Sequence, residues 1–360
     1  MLKVAQKCYL PTNKLLLELI KQNEGRFKVA FSITGTAIEQ FKLYSPETLD
    51  SFRALVDTGH VELLGETYFH SLSFLYDTNE FLEQVNMHRD LMQKEFSYYT
   101  QTFRNTELIY QDRLSDIVYE IEGFKTIVTE GVDRILQWRS PLYAYKNYSK
   151  RINLLLKYYQ LADDIAFRFS NRDWPEYPLT VDKFVNWIDK LTIAETKGRN
   201  QFLNLFMDYE TFGEHQWASS GIFDFMRHFP AEVLKHDHLG FALPKDTAEL
   251  ANYQQESISF PEAVSWADEQ RDLSAWLEND MQHNSIETLY DLFGRIKVKG
   301  DEELLRIARL LSTSDHFYYM CAKYFQDGDV HKYFSPYDSP DQAYIYFINA
   351  LAELEERIMR

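Results

Sequence analysis

FLNLFMDYETFGEHQW, residues 202–217, is the stretch on which the reading of this chain turns. Its apolar start predicts a strand over 202–207. The run passes directly into Asp208, and Glu210, Glu214, His215 and Gln216 follow within eight residues. A strand end needs only one or two turn residues, so this density of acids asks for a further explanation. One is a solvated loop leading into a helix whose N-terminus favours carboxylates. The other is a functional strand end.

Working outward, KVAFS (28–32), VELL (61–64) and the stretches 101–104, 126–129 and 153–156 are further strand candidates. Helical patterns separate them. One is capped by Thr12, carries Leu15, Leu16, Leu17, Leu19 and Ile20, and stops at Gly25. Others are opened by Ser45-Pro46 and ended at Gly59, cover 79–96, and cover 116–122 before Gly123. Such alternation predicts βα units and a mostly parallel sheet or barrel. Polar clusters follow several of the strands, at Gly65-Glu66, 105–107, 130–134 and 208–215. In a parallel barrel that is the end at which active sites are built. Beyond about residue 245, the stretches 267–282, 286–296, 302–311 and 342–360 read as helices and strands give out. The expectation is a barrel domain over residues 1–245 and a helical region over 246–360 packed on it as one unit.

Composition narrows the function. Of 360 residues, 45% are hydrophobic and 26% charged, which is ordinary for a folded globular protein. The net charge of −17 and the lack of a basic stripe argue against a nucleic-acid partner. No stretch is apolar enough to span a membrane. Lys14, Glu18 and Lys21 interrupt the N-terminal apolar residues, so no signal peptide is expected. Cys8 and Cys321 are far apart and form no disulfide framework, which points to a reducing compartment and a cytoplasmic location.

Three segments carry candidate chemistry. The first is the 206–217 stretch. In the second, TFRNTELIY (102–110), Arg104 and Glu107 also fit an ordinary local salt bridge. In the third, GHVELLGETYFH (59–70), Glu66 and His70 follow a strand, where a lone Glu or His often has a purely structural role. Glu130, Asp133 and Arg134 fit a loop salt-bridge network as well as a site.

These segments resemble glycoside hydrolase family 57, the α-amylase-like family. GHVELLGETYFHS is similar to the family's second motif, FRNTEL to its third and MDYETFGEHQW to its fourth. TEGVDRIL (129–136), SWADEQRDLSAW (265–276) and SDHFYYM (314–320) resemble its α-amylase branch, so the likeness covers nearly the whole chain. It implies an α/β fold, an incomplete (β/α)7-type barrel with a C-terminal helical region. The family's first motif, a His-Gln-Pro stretch closing the first strand, has no counterpart before Cys8, so the first barrel strand is expected to be missing.

By position the resemblance makes Glu107 the nucleophile and Asp208 the acid/base of a retaining hydrolase of α-1,4-glucans, two carboxyls about 5–5.5 Å apart. Arg104 is expected to keep Glu107 ionised, and burial with Glu210 and Glu214 to raise Asp208. Glu66, His70, Arg104, His215, Trp217, Trp266 and Asp268 are the expected contacts to an α-glucan or maltooligosaccharide. A 4-α-glucanotransferase and a catalytically impaired glucan-binding relative share these residues. A metal-dependent hydrolase, such as a deacetylase on a similar barrel, is a third reading, with Glu214, His215, His236 and His238 offering ligands. No HExxH spacing supports it, and no metal or cofactor is expected.

Overall fold

Five of the apolar runs form parallel strands: β1 (Val29–Phe31), β2 (Val61–Leu63), β3 (Thr102–Arg104), β4 (Thr126–Glu130) and, after an antiparallel β5 (Tyr145–Asn147), β6 (Asn153–Lys157). The structure, a computed structural model, describes residues 1–193, 198–323 and 335–360. Every residue of β2, β4 and β6 is buried, as in parallel strands covered on both faces. Pairing runs β1–β2 and β3–β4–β6. Gly65 joins the two sets: its N–H donates to Thr102 O and its carbonyl accepts from Arg104 N, both at 2.8 Å. The approach there is too close for any side chain, since a Cβ on Gly65 would lie 2.5 Å from the Phe124 ring. An isolated parallel bridge from Lys157 to Asn204 extends the arc by one more position.

Helices cover the arc. The N-terminal ones pack Leu16, Leu19, Ile38, Phe41 and Phe52 against β1 and β2. The C-terminal helices α1 (Asp280–Lys299), α2 (Glu302–Leu311) and α3 (Pro340–Met359) share one core with the sheet. In it Phe103, Ile127 and Leu154 meet Leu289, Phe293, Leu304 and Leu351. An Asn279–Gln282 capping box sets the start of α1, and Asp301 caps α2.

Four expectations need correction. The first helical segment does not begin at Thr12. The chain is helical from Leu2, passes through a π turn at Ala5–Tyr9 and continues as Leu10–Gln22, so that Thr12 is buried and bonds back to Cys8 O at 2.6 Å. Residues 202–207 are not a strand. Apart from the Asn204 bridge they form a half-buried wall of the central cavity, where Leu203, Leu205, Phe206 and Met207 pack on neighbouring core clusters. Residues 267–282 are mostly turns, with positive φ at Asp268 and Arg271, and the helix starts only at Asp280. Local polar bonds take the place of the helical ladder: Ser265 Oγ donates to Asp272 O at 2.5 Å, and Ser274 N to Asp272 Oδ1 at 2.9 Å. A two-residue strand, Ser257–Ile258, also pairs with β5 in the region read as helical.

Candidate active site

The polar strand ends converge on a cavity of about 2760 Å³. Its lining includes His70 beyond β2, Arg104 and Glu107 at β3, Lys157 at β6, and Asp208 beyond Asn204. Glu107 sits in a 3₁₀ turn, Thr106–Leu108, where it and Leu108 adopt left-handed backbone at φ 57° and 54°. For residues with side chains such a conformation costs on the order of 1–3 kcal/mol each. Three bonds hold it: Thr106 Oγ1 to Thr67 Oγ1 at 2.9 Å, Asn105 Nδ2 to Ile109 O at 3.0 Å, and Thr129 Oγ1 to Leu108 O at 3.1 Å. The result aims the Glu107 carboxylate into the cavity.

That carboxylate is fully engaged. Ser314 Oγ donates to Oε1 at 2.9 Å, His70 Nε2 lies 3.2 Å from the same atom, and Trp266 Nε1 donates to Oε2 at 2.8 Å. His70 is itself positioned by Glu66, whose Oε2 lies 3.2 Å from Nδ1. Glu66 is wholly buried, accepts from Ser32 Oγ at 2.6 Å, and has the Arg104 guanidinium 3.9 Å away. The Trp266 ring lies near two cations, Arg104 at 5.1 Å and Lys157 at 5.3 Å.

Asp208 precedes another 3₁₀ turn, Tyr209–Thr211. Tyr209 anchors it: its hydroxyl donates to Asn13 Oδ1 at 2.5 Å, its carbonyl accepts from Cys8 Sγ at 3.1 Å, and its ring meets Phe31 edge-on. The next acid, Glu210, accepts from the Tyr9 hydroxyl.

Charge sorts the carboxyls. Burial alone would raise Glu107, but the His70 hydrogen bond and charge, then Arg104 and the Trp266 N–H, outweigh it and hold the carboxyl at about 2. His70 responds in the opposite sense. Burial disfavours its charge, yet Glu107 and Glu66 push its pKa up to about 10, so it is an imidazolium at neutral pH. Asp208, which faces the cavity, is raised by desolvation there and then by the Glu107 charge, against the opposing pull of His215, Arg104 and Lys157. Glu210 is raised by burial and by Asp208. Asp315, which lines the cavity beside this group, is raised to about 6 by desolvation there and by the Glu107 charge. Burial lowers His215, against Asp208 and Glu214.

The expected site residues thus come together, with differences in detail. His70, Arg104, Glu107, Asp208, His215, Trp217, Trp266 and Asp268 all line the cavity, whereas Glu66 lies behind His70. Trp217 is largely exposed, with Lys7 Nζ 5.8 Å from its ring, and Asp268 pairs with Lys323 at 3.5 Å. Arg104 acts on Glu107 through its charge rather than as the local salt bridge the spacing allows; its close carboxylate is Glu66. Glu214 turns instead to Lys3 and Lys7 at 2.6 and 3.3 Å, so the largest anionic influence raising Asp208 is Glu107. Glu130 pairs with Lys157 at 3.5 Å, while Asp133 accepts from Tyr159 and Arg134 reaches the carbonyls of Gln270 and Arg271. Ser314, Asp315 and Lys157 escaped the sequence reading. Lys157 stands one residue beyond a correctly read strand, and Ser314 and Asp315 open the 314–320 segment, so both signals were present.

Of the four residues offered as metal ligands, Glu214 faces lysines and His215 lies near Asp208. His236 and His238 instead approach Asp189, which is on a helix and not at a strand end.

Comparison with known proteins agrees with this architecture. The family description "Glycosyl hydrolase family 57" matches residues 1–261. A protein of Methanocaldococcus jannaschii described as "Putative alpha-amylase" is 45% identical over 363 residues, spanning 98% of this chain and 75% of the relative. Among solved structures, a GH57-type branching enzyme from Pyrococcus horikoshii superposes with a TM-score of 0.74 at 14% identity, covering 99% of this chain and 89% of that one. A 4-alpha-glucanotransferase from Thermococcus litoralis gives 0.68 at 15% identity over 87% of this chain, which spans 52% of that enzyme's length. At such identities the two structures speak for the fold alone. The long match and the close relative together make the chain a member of glycosyl hydrolase family 57.

Proposed function

We propose that the chain is a retaining hydrolase of α-1,4-glucans in which Glu107 is the nucleophile and Asp208 the acid/base. One observation carries the reading: two carboxyls line a single cavity with their protonation preferences driven apart, Glu107 to about 2 and Asp208 upward. Glu107 attacks the anomeric carbon while Asp208 gives its proton to the departing glycosidic oxygen. Asp208, now ionised, then takes a proton from water as that water attacks the glycosyl-enzyme ester at the same carbon and frees Glu107. His70⁺, Ser314 and the Trp266 N–H stabilise the carboxylate that is regenerated. Arg104, His215, Trp217, Trp266 and Asp268 contact the sugar, with the Trp266 face offered to a pyranose ring. Glu66 orients His70.

The strand arc suits an incomplete (β/α)7-type barrel formed by residues 1–245, with the mainly helical 246–360 packed on it. Two buried free cysteines suit the cytoplasm, and among the described residues no helix is long and apolar enough to cross a membrane. Transfer to a sugar acceptor would use the same pair, so the product profile on maltoheptaose separates amylase from 4-α-glucanotransferase: shorter oligosaccharides only, or longer ones as well.

The decisive experiment uses two variants. Glu107→Gln is expected to bind maltoheptaose but not turn it over. Asp208→Ala, given an aryl α-maltooligoside and azide, is expected to yield the α-glycosyl azide, because azide attacks the covalent intermediate from the face the leaving group left. A β-azide would reverse the assigned roles. A parent chain that binds glucan without cleaving it would favour the binding reading.

A further inference from the structure

Away from the strand ends, three metal-binding side chains meet. The helix Val181–Ile193 carries Asp189, and the helix Ile222–Val233 runs into a turn bearing His236 and His238. Asp189 Oδ1 lies 3.4 Å from His236 Nδ1 and 2.9 Å from His238 Nε2, and one ligand atom from each of the three residues falls within 4.8 Å of the other two. The two imidazole rings are 5.8 Å apart and nearly perpendicular, at 87°, so one presents Nδ1 and the other Nε2 to the same point.

The frame around them is rigid. Phe184 packs edge-on against Phe225 at 5.7 Å, locking the two helices together. Successive backbone bonds shape the turn: Leu234 N to Pro230 O at 3.0 Å, His236 N to Val233 O at 3.2 Å, and Leu239 N to His236 O at 3.0 Å.

We propose that Asp189, His236 and His238 form a structural site for a divalent transition-metal ion of the Zn²⁺ class. Ligands about 2.0–2.1 Å from a tetrahedral Zn²⁺ stand roughly 3.3–3.4 Å from one another. The observed 2.9 and 3.4 Å bracket that spacing for the two His–Asp pairs, and side-chain rotation of the two nitrogens, which lie within 4.8 Å of one another, completes the fit. Two imidazole nitrogens and one carboxylate oxygen select Zn²⁺, Co²⁺ or Ni²⁺ over Ca²⁺ and Mg²⁺, which favour all-oxygen shells. A water completes the fourth position. The site borders the cavity through His238 and lies apart from the Glu107–His70 cluster. The turn continues through Leu239, Gly240 and Phe241, which line the cavity, and Phe241 packs on Phe27 at 4.9 Å. A bound ion therefore pins that cavity wall to the helix carrying Asp189.

The test uses the full chain stripped with EDTA, desalted and titrated with ZnCl₂ by calorimetry at pH 7.5 in a non-chelating buffer. Melting temperature is followed in parallel. One Zn²⁺ per chain and a Zn²⁺-dependent rise in Tm are expected, both lost in His236→Gln/His238→Gln. Because His238 is half exposed, His238→Gln alone is a second variant expected to fold normally and to weaken binding by at least about tenfold. Circular dichroism of the metal-free variants checks their folding. A simple ion pair between the histidines and Asp189 would leave the parent's Tm indifferent to Zn²⁺, which overturns the proposal. So would equal stoichiometry in the parent and the double variant.

Discussion

Replacing His70 by Asn should move the acid limb of the pH profile upward. Glu107 is held at about 2 against an ordinary 4.5, in spite of burial that works the other way. Among the groups that lower it, His70 comes first, through both a hydrogen bond and a charge at 3.2 Å. Arg104 and the Trp266 N–H remain in the variant. An opposite charge at that range is worth about 1–3 pH units, so the Glu107 carboxyl in the variant should titrate near pH ~4 or above. The sign follows from the chemistry: the nucleophile must be ionised, so activity is lost as pH falls through its pKa. The parent should hold its kcat/KM down to about pH 4, while His70→Asn should lose half of its own maximum near pH ~4–5. Loss of the imidazolium also leaves buried Glu66 with only Ser32 Oγ and the more distant Arg104, at a cost below the roughly 3–5 kcal/mol of a fully unpaired buried charge, so the double variant Glu66→Gln/His70→Asn is the better-folded control. The assay is reducing-sugar release from soluble maltooligosaccharides between pH 3.5 and 8, each enzyme normalised to its own optimum, with circular dichroism at every pH. Coincident acid limbs for folded parent and variants would refute the argument that His70 keeps Glu107 ionised.

Two further outcomes follow from the same geometry. Trp266→Phe keeps an aromatic face but removes the 2.8 Å donor to Glu107 Oε2, and kcat/KM should fall roughly 10–100-fold, the worth of one hydrogen bond to a charged group. Gly65→Ala places a Cβ 2.5 Å from the Phe124 ring and should cost about 1–3 kcal/mol, read as a lower urea midpoint with an unchanged slope.

The parallel strands were legible because buried strands must be continuously apolar while their C-terminal ends are polar, and that contrast survives in one dimension. Residues 202–207 show the limit of the rule: an apolar run half-buried in a cavity wall looks the same as one buried in a sheet. Residues 267–282 show a second. Their composition favours helix, yet Ser265, Asp272 and Ser274 bond locally, and the Arg271 guanidinium stacks 3.8 Å from the Tyr159 ring. Propensity loses to such tertiary commitments. Arg104 and Glu107 invited a local pairing because they are three residues apart. The left-handed turn at Glu107 sends its carboxylate elsewhere, and nothing in the residue type announces that backbone.

Ser314, which donates to Glu107, is 207 positions further along the chain. At about 5–20 residues per second of synthesis, roughly 10–40 s separate the appearance of the carboxylate from that of its partner. Throughout that interval the growing polypeptide holds the β3 strand end without the hydroxyl that helps to fix Glu107. The working order of the site is therefore acquired only once Ser314 has been made, when the helices beyond residue 280 close over strands made long before.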